Sequence, residues 1–414
     1  RLFPIPMYID ETSVKFNTNN MTLSGARLHL GKSDLTLSGE LSDIRRAMLR
    51  GGKLKANFEL ESDLIDCNQL MLAIGKGLQF SDQLASNSVG AFSEDSISVL
   101  ETDHLLANTV DSVATDSISQ LFVVPKFLDL TLHTNAKKID FKDLKLEDVK
   151  GEVVIRDQSI NLSDLCMSSN IGSGDLTMVY TTKTDQEATM GFELSLDDIL
   201  VERLISLFPD IDTLVPMLRS FEGMVDCQMT ATCKADSTMS VLLPSVNASC
   251  YLSGKNMVLL DGETFTEISK TLMFKNKKRN MIDSIAVDLA IHDNKIEVFP
   301  FLVEMDRYKV AVGGTHNLDM TFDYHLSVLK SPVPFKLGID IKGNLDDFKF
   351  KIVKCKYKDF LKPAKQAELD STRRNVREEI RETIRKQIRE AAPELGNSLS
   401  EIHPHTHGHV EEST

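Results

Sequence analysis

The sequence is short of positive charge. Its 414 residues carry 47 Lys and Arg against 61 Asp and Glu, a net charge of −14. Phosphate binding needs a basic face, so nucleic acid is not expected as the main partner. Part of the deficit is local: no Lys or Arg stands between Lys76 and Lys126, where Asp82, Glu94, Asp95, Glu101, Asp103, Asp111 and Asp116 fall. No run of about 18 apolar residues occurs, which excludes a transmembrane helix within this stretch, and no signal peptide is visible. The chain opens on Arg1-Leu2-Phe3-Pro4, without Met and directly into strand-like sequence, and so reads as part of a longer protein. Tryptophan is absent, and Phe supplies most of the rings.

Six cysteines (Cys67, Cys166, Cys227, Cys233, Cys250, Cys355) include no C-x-x-C, the spacing that a zinc or redox site requires. Cys227 and Cys233 would lie about 20 Å apart on one strand at ~3.3 Å per residue, too far to bridge. Cys233 could meet Cys250 across a hairpin, and buried free thiols are the expected state. Catalytic signatures are missing too: there is no nucleophile elbow, phosphate loop, paired metal-binding histidines or kinase-type motif. His29, His133, His292, His316 and His325 stand singly on polar strand faces or turns. Asp197-Asp198 and Asp346-Asp347 fall at element ends, where capping explains them. No cofactor, catalytic residue or dedicated metal site is expected. The tail His403-Pro-His-Thr-His-Gly-His409 could bind nickel or zinc loosely, without preorganised geometry.

What the sequence has in quantity is period-two alternation. From Asp283 to Val353 the apolar residues fall on alternate positions: Ile285, Val287, Leu289 and Ile291; then, after a turn at Asp293-Asn294, the run Ile296 to Met305. Tyr308, Val310 and Val312 follow a turn at Asp306-Arg307. Gly313-Gly314 is read as a further turn, before Leu318, Met320, Phe322, Tyr324, Leu326 and Val328. Phe335, Leu337, Ile339 and Ile341 come next, then Phe348, Phe350 and Ile352. Such alternation, broken by Gly, Pro, Asn and Asp, predicts antiparallel strands with one dry face. Asp319, Thr321, Asp323, His325 and Ser327 occupy the other face of the longest strand.

Similar patterning runs through residues 1–80, a β-groove segment, and through 125–356, a β domain with a helical insert at 197–220. Residues 81–124 are rich in Ser, Asp, Asn and Thr, and are read as a disordered acidic linker or long surface loop. Residues 357–414 comprise an amphipathic helix and the histidine-containing tail. Leu369, Val376, Ile380, Ile384 and Ile388 share one face of that helix, which Pro393 closes. Docking on the sheet, pairing with a partner helix and contact with an anionic membrane are its three readings, the last weakened by near-balanced charge.

Two internal echoes are present. Apolar-x-Gly recurs at Leu23-Ser24-Gly25, Leu37-Ser38-Gly39, Val149-Lys150-Gly151, Leu252-Ser253-Gly254 and Ile341-Lys342-Gly343, and suggests bulges in a laterally repeating sheet. Phe58-Glu-Leu60 through Asp63 to Ile65 matches Phe192-Glu-Leu194 through Asp197 to Ile199. Each Asp is read as the cap of a helix, the first containing Leu70, Met71 and Ile74, the second Leu200, Leu204, Ile205 and Phe208. A short companion helix opens at Asp212.

The run Ile296-Glu-Val-Phe-Pro-Phe301, then Tyr308-Lys-Val-Ala-Val-Gly-Gly314, Leu318-Asp-Met-Thr-Phe-Asp-Tyr324, Lys330-Ser-Pro332, Gly338-Ile-Asp-Ile-Lys-Gly343 and Asp346 resembles the C-terminal region of the AsmA-like family, the long proteins of Bacteroides-type bacteria above all. The likeness covers roughly 190–357 and, more weakly, 1–80 and 125–190. It implies an inner-membrane protein of the Gram-negative envelope, held by an N-terminal anchor outside these residues, with a long periplasmic body. Relatives, including TamB, are similar to bridge-like lipid transfer proteins, whose sheets form troughs with an apolar inner wall.

The expectations are therefore these. The fold is mainly β: an elongated antiparallel meander forming a curved groove or trough, with a few short covering helices. Its apolar wall carries Ile285, Val287, Leu289, Ile291, Tyr308, Val310, Val312, Leu318, Met320, Phe322, Tyr324, Leu326, Phe335, Leu337, Ile339 and Ile341. The expected role is non-enzymatic, with phospholipid or another envelope lipid as partner. The alternative is a scaffold that binds outer-membrane assembly proteins.

Overall fold

A stripe of apolar residues along a strand is stable only where neighbouring stripes lie beside it. Here each finds its neighbours in the next strand along. A computed structural model describes every residue except 1–4, 11, 72, 74–120, 142–143, 170–171, 208–220, 260–280, 306–307, 318–320, 332–335, 345–346 and 392–414. The described residues form 20 strands in one sheet that does not close on itself.

The sheet begins with β1 (Met7–Ile9) and β2 (Ser13–Phe16), both paired to β3 (Met21–Leu30), and passes through β4 (Ser33–Ser42) to β5 (Leu54–Ser62). Two-residue β6 (Ile65–Asp66) and β5 both pair with β7 (Leu128–Phe141), and they do so in parallel. Every other pairing is antiparallel, so this seam departs from the all-antiparallel expectation. The order then follows the chain: β8 (Leu144–Arg156), β9 (Ser159–Ser169), β10 (Gly172–Thr181) and β11 (Glu187–Leu200). β12 (Phe221–Glu222) flanks the end of β14, while β11 pairs with β13 (Met224–Asp236) and β13 with β14 (Asn247–Leu259). β15 (Met281–His292), β16 (Lys295–Met305), β17 (Tyr308–Asn317), β18 (Phe322–Lys330), β19 (Leu337–Gly343) and β20 (Phe348–Val353) complete the order. At ~4.8 Å per strand the sheet runs for roughly 75 Å along its hydrogen bonds.

A twisted open sheet of this extent must curl. Bulges supply bends, and several hold an Asp in the left-handed region: Asp148 between Glu147 and Lys150, Asp164 on β9, and Asp198 between Leu196 and Ile199. Asp293 and Asn294 both have positive φ, as a two-residue hairpin turn demands, where the sequence placed that turn. Pro300, which has no N–H to give, sits in the β16 bulge between Val298 and Phe301. Gly39 (φ 150°) and Gly343 (φ 143°) lie so near the next strand that a Cβ would stand 2.1 Å from Asn57 O and 2.2 Å from Asp347 O. That close approach explains the glycine in these two copies of the apolar-x-Gly echo; Gly25 has open space around it and a left-handed φ of 62° instead.

Three expectations on local structure are corrected. Gly313 and Gly314 make no turn; they continue β17, because Gly314 must clear the Tyr324 backbone across the pair. Asp63 and Asp197 cap no helix. Residues 67–71 are helical with Asp66 as their cap, its Oδ1 accepting from Gln69 N at 3.0 Å. β11 runs past Asp197 to Leu200, so α2 (Val201–Leu207) starts later than expected. Gly51 terminates a short helix, α1 (Ile44–Arg50), with φ 63°. Ile74, Phe208, the Asp212 companion helix and the Asp306-Arg307 turn lie outside the described residues.

The C-terminal helix is present as α3 (Pro363–Ala391). Of its three readings, the structure selects docking: Ile380, Ile384 and Ile388 pack on Val179 of β10. The histidine tail and most of 81–124 lie outside the described residues. Residues 121–124, counted with the linker, instead pack on the sheet. Val124 is 1% exposed and donates its N–H to Thr182 Oγ1 at 2.8 Å.

Candidate functional site

The strand registers place the apolar stripes in continuous lines across the sheet. One line passes from Val14 through Leu23, Gly39, Phe58, Leu132, Val153, Leu162, Met178 and Phe192. It continues through Ala231, Ala248, Ile291, Ile296, His316, Phe322 and Gly343 to Phe348. His316 is its single polar member. A second line, two residues away along the strands (three on β9, where the bulge intervenes), contains Leu37, Leu60 and Thr134, then Leu165, Leu176, Leu194, Met229, Cys250, Leu289, Val298, Gly314, Tyr324, Ile341 and Phe350. Beyond it, Phe301, Val312, Leu326, Ile339 and Ile352 form a third, and Val303, Val310, Val328 and Leu337 a fourth.

The predicted wall residues fall on this face: Ile285, Val287, Leu289, Ile291, Val310, Val312, Phe322, Tyr324, Leu326, Leu337, Ile339 and Ile341, with Tyr308 at the end of β17. Leu318, Met320 and Phe335 lie outside the described residues. The wall is longer than the sequence suggested, because Phe58, Leu132, Val153, Leu162, Met178 and Phe192 extend the same line through β5–β11. A signal for this was present: in the Phe58/Phe192 echo both Phe residues stand in the first line and both following Leu residues in the second. The Leu37/Ile341 echo obeys the same rule, with Gly39 and Gly343 in the first line.

Exposure varies along the wall. Leu23, Leu37, Leu132, Val153, Leu162, Met178 and Phe192 are half-buried, whereas Ala231, Ala248, Ile291 and Ile296 are buried. Short elements cover parts of it. Cys67 and Leu70 sit against Leu35, Leu37, Leu60 and Ala136; Leu121, Phe122 and Val124 sit against Ile155, Ile160, Tyr180 and Met190. Val201 and Leu204 of α2 join the cluster around Leu196, Val225 and Met257. No second sheet faces the wall among the described residues. The wall is a poor place for charge: burial pushes the Tyr324 and Tyr180 phenols up to about 12. Cys227 and Cys250 are buried in it as free thiols. Cys250 stands opposite Met229 rather than near Cys233, and beside Cys227, whose hydrogen bond joins burial in raising its thiol.

The opposite face of the same strands carries the polar residues, and α3 lies across it. Arg373 and Arg377 reach the buried carboxylate of Asp288 at 3.2 and 3.5 Å, Arg373 also donates to Pro300 O at 2.9 Å, and Arg381 pairs with Glu193. Burial raises the Asp288 carboxyl above its ordinary value despite both arginines. Asn161, wholly buried beside Val179, has no hydrogen-bond partner among the described residues for either side-chain polar atom. Further along the sheet, on β18, His325 Nδ1 meets Asp340 Oδ1 at 2.5 Å, and its Nε2 lies 3.0 Å from Ser327 Oγ. The composition is that of a hydrolase triad, but the roles differ. His325 Nε2 accepts from Lys356 N–H and Ser327 Oγ accepts from Tyr357 N–H, and Ser327 is fully buried, so no substrate reaches the hydroxyl. The cluster clamps residues 354–357 onto β18.

Among the described residues no group of His, Cys, Asp and Glu is arranged to hold a metal ion, and no helix is long and apolar enough to cross a membrane. No family model, curated protein or solved structure matches the chain.

Proposed function

We propose that this chain is a non-enzymatic lipid-handling module whose apolar wall shields phospholipid acyl chains from water. The supporting observation is the line from Val14 to Phe348, apolar apart from His316, with no second sheet among the described residues to cover it. A wall that is continuous across the strands favours a ligand that is long and apolar and makes no directional demands. Each acyl CH₂ withdrawn from water contributes ~0.8 kcal/mol, so a single chain of ordinary length is strongly held without any polar contact. In this reading the parent protein resembles the AsmA-like family, is anchored in the inner membrane, and spans the periplasm to move lipid between membranes or maintain the outer one.

Native mass spectrometry with lipid extraction on the purified chain tests the proposal. Near-stoichiometric phospholipid is expected, and Phe192→Asp or Met178→Asp is expected to abolish it while leaving the circular dichroism unchanged. A folded protein without lipid, or folded variants with undiminished lipid, would overturn it. The scaffold reading has an observation of its own in the two open sheet edges, at β1/β2 and β20, which could accept a strand from an assembly partner.

A further inference from the structure

We infer that the β20 end of the sheet docks on the surface of an anionic phospholipid bilayer. Between Lys349 and Lys362 the chain carries six lysines and one acid, Asp359, in a protein whose net charge is −14. Asp359 is taken by Lys362 at 2.9 Å. The other five, Lys349, Lys351, Lys354, Lys356 and Lys358, are exposed and have no ion pair among the described residues. The alternation of β20 sends Phe348, Phe350 and Ile352 to the wall side and Lys349 and Lys351 to the other. Ile352 is 68% exposed, and Phe350 36%. The lines of the wall therefore end at a strand that is apolar on one side, basic on the other and, among the described residues, unpaired along its outer edge.

Lysines on an edge strand also guard against edge-to-edge association, and that simpler role needs weighing. It accounts for Lys349 and Lys351. It does not account for Lys354, Lys356 and Lys358, which lie past the strand, nor for Ile352, whose exposure on an edge would promote association. Exposed apolar groups bordered by unpaired cations suit a surface with anionic headgroups above acyl chains. A second copy of the chain would bring like charge against like. The His325 clamp adds definition, since it fixes the backbone at Lys356 and Tyr357 against β18, on the face of the sheet that carries Lys349 and Lys351.

The inference rests on the groove reading for its purpose, and the test separates the two. Flotation with vesicles of phosphatidylglycerol and phosphatidylethanolamine should recover the protein, whereas phosphatidylcholine vesicles should not. Raising salt from about 0.1 M to about 1 M should release it. The K349E/K351E/K354E/K358E variant should bind at least ~10-fold more weakly, and Ile352→Asp should weaken binding without altering its salt dependence. Equal binding to neutral vesicles, or undiminished binding by the charge-reversed variant, would overturn the inference. So would a dimer in sedimentation that the same reversal dissolves, which would assign the edge to a second copy. Lipid extracted from the same samples reports on the groove independently: a variant that loses vesicle binding but keeps its cargo supports docking, and a cargo-free protein that still floats supports docking while removing the groove reading.

Discussion

Over β9 to β15 one face of the sheet offers Met178, Phe192, Met229 and Leu289, and the other offers Asn161, Glu193, Thr230 and Asp288. The 29-residue helix α3 lies on the second. Its hold there combines three isoleucines on one valine with arginines on two carboxylates, and it leaves Asn161 without partners. Its isoleucines would meet far more apolar surface on the first face. A helix that could have closed the wall instead braces its back, and the wall is left to the short elements at residues 67–71, 121–124 and α2. The contrast teaches that the polar side of an alternating strand need not be the solvent side. Strands with both faces occupied differ only in what occupies them.

The largest effect should come from crowding the wall at a close approach of two strands. Gly314→Val places a side chain where even a Cβ would stand 2.7 Å from Tyr324 Cα, and should cost about 3 kcal/mol or more in chemical denaturation. On the opposite face, Ile384→Asp puts a carboxylate at a site 3% exposed and should release α3, seen as rapid proteolysis at its arginines. If the two faces are independent, lipid content should survive that release; its loss would show that α3 supports the wall. Phe322→Asp and Leu326→Asp, half-buried and on the wall side, should do the reverse, emptying the protein of lipid at a stability cost of about 1–3 kcal/mol.

Smaller effects should sharpen the picture of the braced face. Glu193→Gln removes one of the two acidic partners of Arg381, the other being Glu378, and with both side chains partly exposed the cost should be about 1 kcal/mol, read as faster hydrogen exchange in α3. The smallest concerns Asp288. Its folded carboxyl titrates above the ordinary value, so the native state gains relative to the unfolded chain when this group is protonated. Its contribution is greatest below the ordinary carboxylate range and falls as pH rises through the folded value. Protection of α3 should therefore decline modestly as pH rises through that acidic window, and Asp288→Asn should flatten the decline.

Much of the sheet was legible because alternation is a local signal. The β15 stripe and the Asp293-Asn294 turn need nothing but the residues themselves. The face on which each described wall residue stands was legible for the same reason. Three things were not. Gly313-Gly314 has turn composition, and only the presence of Tyr324 across the pair makes it a strand. The burial of His316, His325 and Asp288 depends on what lies over them, and no periodicity in their own strands reports it. The reach of the wall into β5–β11 was written in the Phe58/Phe192 echo, but an echo shows register only once the strands between its copies are counted.

The parallel seam has a consequence for how the protein forms. Antiparallel pairs between neighbours in the chain close short loops, and such contacts are reached quickly. Leu54 and Leu128 must find each other across a much longer loop, whose closure costs more entropy and returns nothing until β5 and β7 zip together. The strands before the seam and those after it can each assemble by local steps, so the joining of β5 to β7 is the natural bottleneck. Until it occurs, two edges rich in Leu and Phe stand open, and an encounter between two half-assembled molecules could satisfy them as well as an encounter within one. Yield on refolding should therefore fall with protein concentration, and a chain with β5 and β7 crosslinked should escape that dependence.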